Sequence, residues 1–249
     1  MQKIFILTCT CMLFIATASR ADTITLVGDP WCPYNCEPGS TRPGILIEVA
    51  RKAFTNSGHT IKYLTVPWSR AIEMVRHGKA TGIVGTGPGE TPDFVYTAKE
   101  ILQVEHTFFV RSTDTWRYQN LESLTSRTLG VIRGYSHGDL ETKYILPNVK
   151  NKKRIQLVSG HAPLPRLLKM LTLHRLDTLI DDSIVFTRTL KNLPGFSNVK
   201  PAGVYAKEKI FIAFSPALKS SQAHAETLSR FIEKDGGSGV KAIIDKYLY

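Results

Sequence analysis

The sequence predicts an α/β fold of two lobes, each a mostly parallel sheet flanked by helices, joined by two hinge crossings. Three observations predict it. Short β-rich runs alternate with amphipathic helical patterns in two consecutive series. The two series echo each other at 71–86 and 167–182, where an apolar helix runs through a basic turn into a short buried strand. Two extended runs, 103–111 and 209–214, flank the second series as the sides of a hinge would. With 249 residues, 43% of them hydrophobic and 9% aromatic, the chain can bury a real core, which excludes disorder as its main state. A charged fraction of 21% leaves a single long apolar run, which excludes a multi-span membrane protein.

That run opens the chain. Lys3 is followed by Ile4 to Ala18, almost wholly apolar or small, and then by Ser19-Arg20-Ala21. This is the pattern of a cleaved secretory signal over 1–21, with cleavage after Ala18 as an alternative. At about 15 residues the run is short of the roughly 20 that cross a bilayer. Cys9 and Cys11 lie before or within it, where a lipidated cysteine would follow it. Loss of Lys3 and Arg20 leaves 30 of the 32 basic residues against 21 acidic ones, a net charge of +9 rather than +11. Only Cys32 and Cys36 remain. In an oxidising compartment that spacing reads as a local disulfide, with metal binding disfavoured for want of a second ligand pair.

The first series opens with the strand 23–27, ending at Gly28-Asp29-Pro30. The helix 45–57 follows on Ile45, Leu46, Val49, Ala50, Ala53 and Phe54, closed by Gly58. A strand at 61–66, a helix at 68–77 and a buried strand at 82–85 complete βαβαβ. The second series places strands at 129–132, 155–158 and 177–181, with helices at 137–146 and 165–175. Two tail helices, 218–234 and 239–248, are split by Gly236-Gly237. The resulting division is 22–108 plus 206–249 for a discontinuous first lobe and 109–205 for an inserted second lobe.

Several short patterns invite chemistry. Gly134-Tyr135-Ser136-His137-Gly138 is a literal G-x-S-x-G between a strand and a helix, with Asp181 or Asp182 and then His224 following in hydrolase order. No oxyanion-type glycine run lies upstream, and His224, beside Gln222 and Glu226, reads as exposed. The plainer reading is a glycine turn feeding a helix. Gly85-Thr86-Gly87-Pro88-Gly89-Glu90 is another glycine turn, but it lacks both the third dinucleotide glycine and a P-loop lysine. Its backbone can still approach a small ligand at a strand end. Trp31, Tyr34 and Trp68 cluster in loops at one edge and read as pocket walls. Arg70, one turn beyond Trp68, is a candidate partner for a ligand anion. Asp181 and Asp182 end a buried strand, so they point to opposite faces and one of them reads as ligand-facing. The histidines show no metal-ligand spacing. The run 150–154, Lys-Asn-Lys-Lys-Arg, reads as a solvated loop, with no nucleic-acid partner.

In this order, the pieces resemble the bacterial periplasmic solute-binding proteins of extracellular family 3, with the type II periplasmic-binding-protein fold. The resemblance spans 22–249. It rests on the loop Asp29-Pro30-Trp31-Cys32-Pro33-Tyr34, on Pro43-Gly44 and the helix after it, and on Pro67-Trp68-Ser69-Arg70-Ala71. Gly85-Thr86, Leu129-Gly130-Val131 and Leu176 through Ser183 carry it further. The resemblance implies two lobes closing around a small polar or charged solute, with no cofactor. It implies a monomer in the periplasm that serves an ABC permease or a sensor. Carried over by position, it assigns Asp29, Trp31, Tyr34 and Trp68 to the first-lobe walls and Gly85, Thr86 and Gly87 to polar contacts. Arg133, Tyr135 and Ser136 form the second-lobe turn, and Asp182 is the acidic contact. Amino-acid binders of the family usually carry an arginine shortly after the Gly-Thr phrase. Here 88–93 reads Pro-Gly-Glu-Thr-Pro-Asp, so an amino-acid carboxylate would need Arg70 or Arg133 as its clamp. The alternative implied by the same fold is a cyclohexadienyl-dehydratase-like enzyme with Asp182 in acid–base work.

Overall fold

A computed structural model describes residues 22–160, 162–193 and 195–248; the expected signal segment lies outside the described residues. The first half of the chain forms β1 (Thr23–Gly28), α1 (Ile45–Thr55), β2 (Thr60–Thr65), α2 (Trp68–Arg76), β3 (Gly82–Thr86) and a short β4 (Val95–Tyr96). The alternation of β-branched runs with apolar residues at helical spacing produces this order. In α1 the buried face is Ile45, Leu46, Val49, Ala50, Ala53 and Phe54, the set the periodicity selects, with Ile47 added.

A long strand, β5 (Leu102–Arg111), leads into the second half. There β6 (Leu129–Ile132) is followed by a π-helical turn (Glu141–Ile145) and the brief α3 (Leu146–Asn148). Then come β7 (Ile155–Val158), α4 (Pro163–Thr172), β8 (Thr178–Asp182) and α5 (Ser183–Asn192). The chain returns through β9 (Val199–Phe214) and ends in α6 (Ser221–Glu233) and α7 (Ser238–Leu248). The kink between the last two helices sits at Asp235 and Gly236, both in left-handed conformation.

All strands join one curled mixed sheet in the order β2-β1-β3-β9-β5-β8-β6-β7, with β4 beside β9. The outer strands of each half run parallel: β1 with β2 and β3, and β6 with β7 and β8. Between them, β5 and β9 pair antiparallel from Leu102↔Ile210 to Arg111↔Val199. These two strands are the crossings, and the division read from sequence at 108/109 and 205/206 falls inside them.

Three expectations differ in detail, and one helix is not anticipated. The helix at 137–146 starts only at Glu141, because Gly138 turns the chain at φ 60. The crossing expected at 209–214 begins at Val199. Pro201 and Gly203 conceal the earlier strand, and both sit where its register to β5 is irregular. Helix α5 is not anticipated, although its apolar periodicity matches that of α7; it starts where Asp182 accepts the N–H groups of Ile184 and Val185 as its N-cap. His224, expected to be exposed, is buried, its ring edge-on to Phe54 and His59 and tilted against Phe214. Its position on α6 faces the core although its sequence neighbours are polar.

The loop before α1 is set by Gly44, at φ 109 and ψ 157, a region open essentially to glycine. A Cβ there would lie 2.5 Å from the Tyr34 carbonyl oxygen and 2.6 Å from Asn35 Cα. Gly44→Ala is therefore expected to destabilise the protein by about 1–3 kcal/mol, through strain plus the clash. A thermal unfolding curve superimposable on that of the parent would contradict this.

Candidate functional site

The carboxyl ends of four parallel strands meet at one crevice. β1 delivers Asp29, β3 delivers Gly85, β6 leads to Tyr135, Ser136 and His137, and β8 ends in Asp181 and Asp182. The crossings add His106 from β5, and Glu208 and Ile210 from β9; Trp68 opens α2. Crevices of this kind are the usual ligand positions of open α/β sheets. In this conformation the cavity holds about 40 Å³ of free space, room for a few water molecules and well short of the roughly 300–1,000 Å³ of small-molecule sites.

The first-lobe wall is a stapled turn. Cys32 and Cys36 are disulfide-bonded, and the Trp31 N–H donates to the Asn35 carbonyl at 2.7 Å. This holds the Trp31 ring against Tyr34, with centroids 4.4 Å apart. Gly85, at φ 91, lets β3 pass beneath Trp31; a Cβ there would touch the indole at 3.4 Å. Glu90 enters from the following turn, where its carboxylate accepts the Trp68 indole N–H at 2.7 Å and the Thr86 hydroxyl at 3.3 Å. Burial, reinforced by the charge of Glu208, pushes its pKa up to about 8 despite those two donors.

Contacts between the lobes close the crevice. The Tyr34 hydroxyl donates to Asp182 Oδ1 at 3.0 Å, and the Tyr135 hydroxyl donates to Asp29 Oδ2. Burial pushes Asp29 to about 6, with the Tyr135 hydrogen bond opposing the rise. Asp182 also accepts the N–H groups of Glu105, Ile184 and Val185. Burial raises its pKa, while the backbone donors and Tyr34 pull it back. Asp182 is therefore fully engaged in capping α5 and bridging the lobes. Asp181 turns one oxygen to the Asp182 N–H at 2.7 Å, and the other has no partner in the protein. Burial and the neighbouring Asp182 push Asp181 to about 8.

On the crossings, His106 Nε2 and Glu208 Oε2 lie 2.7 Å apart, and Ser136 Oγ donates to the other Glu208 oxygen at 3.3 Å. The His137 ring stands edge-on to His106, with centroids at 5.1 Å. Burial, with His106 alongside, depresses the His137 pKa well below the usual histidine range, so the ring is neutral. Ser136 is tied to Glu208 and to the Gly138 N–H, whereas His224 lies in the aromatic cluster with Phe54 and Phe214. The G-x-S-x-G hydrolase constellation is not assembled.

Of the residues singled out from sequence, Asp29, Trp31, Trp68, Gly85, Tyr135, Ser136 and Asp182 line the cavity. Tyr34 lies behind Trp31 and acts through Asp182. Thr86 supports Glu90 and also bonds Thr91 at 3.0 Å. Gly87 packs under Lys209 and Glu208. Arg70 and Arg133 are corrections: both are exposed and neither lines the cavity itself, although Arg133 borders an adjoining groove that shares Asp29, Trp68 and Tyr135 with it. Arg70 follows Trp68 by two positions on α2, so it points away when Trp68 points in.

Sequence reasoning missed Asn35, Val84, Glu90, His106, His137, Glu208 and Ile210 as lining residues, and of the pair Asp181 and Asp182 it assigned only Asp182 as the ligand contact, whereas both line the cavity. Glu90 had a signal, its place in the glycine turn. His106 and Glu208 had none, since they lie in crossing strands about 100 residues apart.

Among the described residues, no group of three or more His, Cys, Asp or Glu is arranged to hold a metal ion. No helix there is long and apolar enough to cross a membrane.

No protein-family model and no curated protein sequence matches this chain. Solved structures do resemble it. A histidine kinase sensor domain with similarity to periplasmic binding proteins superposes with a TM-score of 0.75 at 19% identity, over 92% of this chain and 97% of that one. An ancestral arginine-binding protein bound to arginine gives 0.72 at 14% identity, over 91% and 98%. An amino acid ABC transporter substrate-binding protein from Streptococcus pneumoniae, bound to L-arginine, gives 0.71 at 16%, over 92% and 95%. Likeness over nearly the whole of both chains, with two antiparallel crossings between two parallel half-sheets, shows that this chain has the two-lobed type II fold of the periplasmic binding proteins.

Proposed function

We propose that this chain is an exported solute-binding protein that captures a small polar or charged molecule between its lobes by hinge closure, for ABC-type uptake or for sensing. One observation carries this reading. Six buried side-chain nitrogen and oxygen atoms among the described residues have no hydrogen-bond partner in the protein, on Trp31, Asn35, His106, His137 and Asp181. All five residues line the same cavity. Buried polar groups are otherwise almost always paired, so their concentration here marks a surface built to be completed from outside the chain. The hydrogen bonds of Tyr34 to Asp182 and of Tyr135 to Asp29 supply the closed state that a solute would select.

On this reading the segment 1–21 directs export, the mature protein acts as a periplasmic monomer in the lobes 22–108 plus 206–249 and 109–205, and no reaction is assigned. Asp182, the acid–base residue of the enzyme alternative, accepts four hydrogen bonds that cap a helix and join the lobes. The test is a thermal-shift screen of small metabolites followed by small-angle scattering. A ligand that raises the melting temperature and holds the protein at its compact dimensions is the expected result. Turnover of a cyclohexadienyl acid such as prephenate, abolished in Asp182→Asn, would overturn the reading in favour of an enzyme.

A further inference from the structure

The lining of the crevice is one-sided in charge. Among the described residues that line it there are five carboxyl side chains and neither a lysine nor an arginine. Four of them retain acceptor capacity: Glu90, Asp181, Glu208, and Asp29, which accepts the Tyr135 hydroxyl at one oxygen. Glu90 and Glu208 each accept protein hydrogen bonds at both oxygens, but a carboxylate offers about four lone-pair sites. Asp181, only 3% exposed, has one oxygen with no partner at all. A second, independent observation points to a bound molecule: His137, 2% exposed and neutral, has neither ring nitrogen partnered although it lines the cavity. Trp31 and Trp68 complete the lining, Trp68 with its indole N–H spent on Glu90 and Trp31 with its indole N–H unpartnered.

Each class of solute meets this lining differently. An anion would add like charge to a carboxylate-lined pocket. A zwitterionic amino acid would satisfy the acceptors with its ammonium but bury its carboxylate opposite no cationic side chain, an uncompensated cost. A cation with several N–H donors fits the lining best: its donors reach the carboxylates, with two indoles beside its charge. The donors are not grouped for a metal ion, which leaves an organic cation.

We infer that the solute of this cleft is a small organic cation without a carboxylate, an alkyl amine or guanidine, an inference that rests on the solute-binding reading above. The raised pKa values of Glu90 and Asp181 agree with it, because a cation seated between them would draw both back toward ionisation and release protons on binding.

The test compares molecules that differ by one group. Agmatine and L-arginine share a guanidinium and an alkyl chain, and only arginine carries a carboxylate. Calorimetric titration of the mature protein with agmatine, 1,4-diaminobutane, L-arginine, L-glutamate and a neutral sugar is expected to give a dissociation constant at least tenfold tighter for agmatine or the diamine than for arginine. Glutamate is expected to give no heat. Asp181→Asn and Glu90→Gln, with folding confirmed by circular dichroism, should each weaken amine binding at least tenfold. Arg70→Ala and Arg133→Ala should leave it within twofold. Arginine binding as tightly as agmatine, a tenfold loss in Arg133→Ala, or tighter binding of glutamate or the sugar would overturn the cation assignment while leaving the solute-binding reading intact. No binding by any metabolite, with no compaction in scattering, would remove both.

Discussion

Replacing Glu90 and Asp181 together by Gln and Asn is expected to stabilise the unliganded protein at pH 8 and to flatten its stability against pH. Both carboxyls have pKa values raised to about 8 in the folded state, against ordinary values of 4.5 and 3.8. Between about pH 4 and pH 8 the folded protein therefore binds more protons than the unfolded chain, and stability falls as pH rises through that window. Asp29, lifted to about 6, adds to the same slope at its acid end. Above pH 8 the cost of holding ionised carboxylates in the crevice is complete, and below pH 4 it is gone. Asp181 is enclosed and Glu90 only partly so, so Glu90 contributes the smaller share. The combined gain at pH 8 is about 2–4 kcal/mol, or on the order of 8 °C in melting temperature for a chain of this size. Melting curves of parent and variant from pH 5 to pH 8.5 check this. A parent whose melting temperature is flat or rises over that range, with no gain in the variant, would show that these carboxyls are not held neutral in the fold.

The second large effect concerns closure. Tyr34→Phe with Tyr135→Phe removes the hydroxyls that join the lobes but leaves the rings that form the wall. Hydrogen bonds to carboxylates are worth about 1.5–3 kcal/mol each. Losing both shifts the open–closed equilibrium toward the open form by up to a few kcal/mol. Apparent affinity falls in proportion to the closed fraction, so whichever solute binds should do so roughly 10- to 100-fold more weakly. The free variant should show a larger radius of gyration by small-angle scattering, with unchanged circular dichroism. Asp182 keeps three backbone donors, so α5 stays capped; Asp29 loses its side-chain donor, which raises its pKa further. A variant with parental dimensions and parental affinity would mean that packing alone, such as the edge-on contact of Trp68 with Tyr135 at 6.3 Å, holds the lobes together.

Much of the fold was legible because it is written in local period. The apolar spacing of α1, the β-branched runs of β1 and β6, and the glycines at 236–237 each act within a few residues, and the structure returns them nearly in place. Where the reading slipped, a nonlocal cause intervened. β9 runs ten residues further than its β-forming residues announce because β5 lies beside it and pairs with it throughout. His224 is buried because α6 turns that face toward Phe54 and Phe214, against the polarity of its neighbours. Helix α5 depends on a carboxylate, Asp182, that also serves the opposite lobe.

The site divides in the same way. The sequence by itself determined that aromatics and glycines gather at strand ends, that Cys32 and Cys36 can staple one loop, and that two half-sheets frame a crevice. Only the tertiary structure decided what charge fills it. The chain carries an excess of basic residues, yet the crevice collects carboxylates, because its lining comes from positions as far apart as Asp29 and Glu208. Arg70 is exposed on α2, and Arg133 is exposed in the groove adjoining the crevice. Net charge sums over a whole surface, whereas a ligand meets only the side chains that burial turns inward, and in this chain those are acidic.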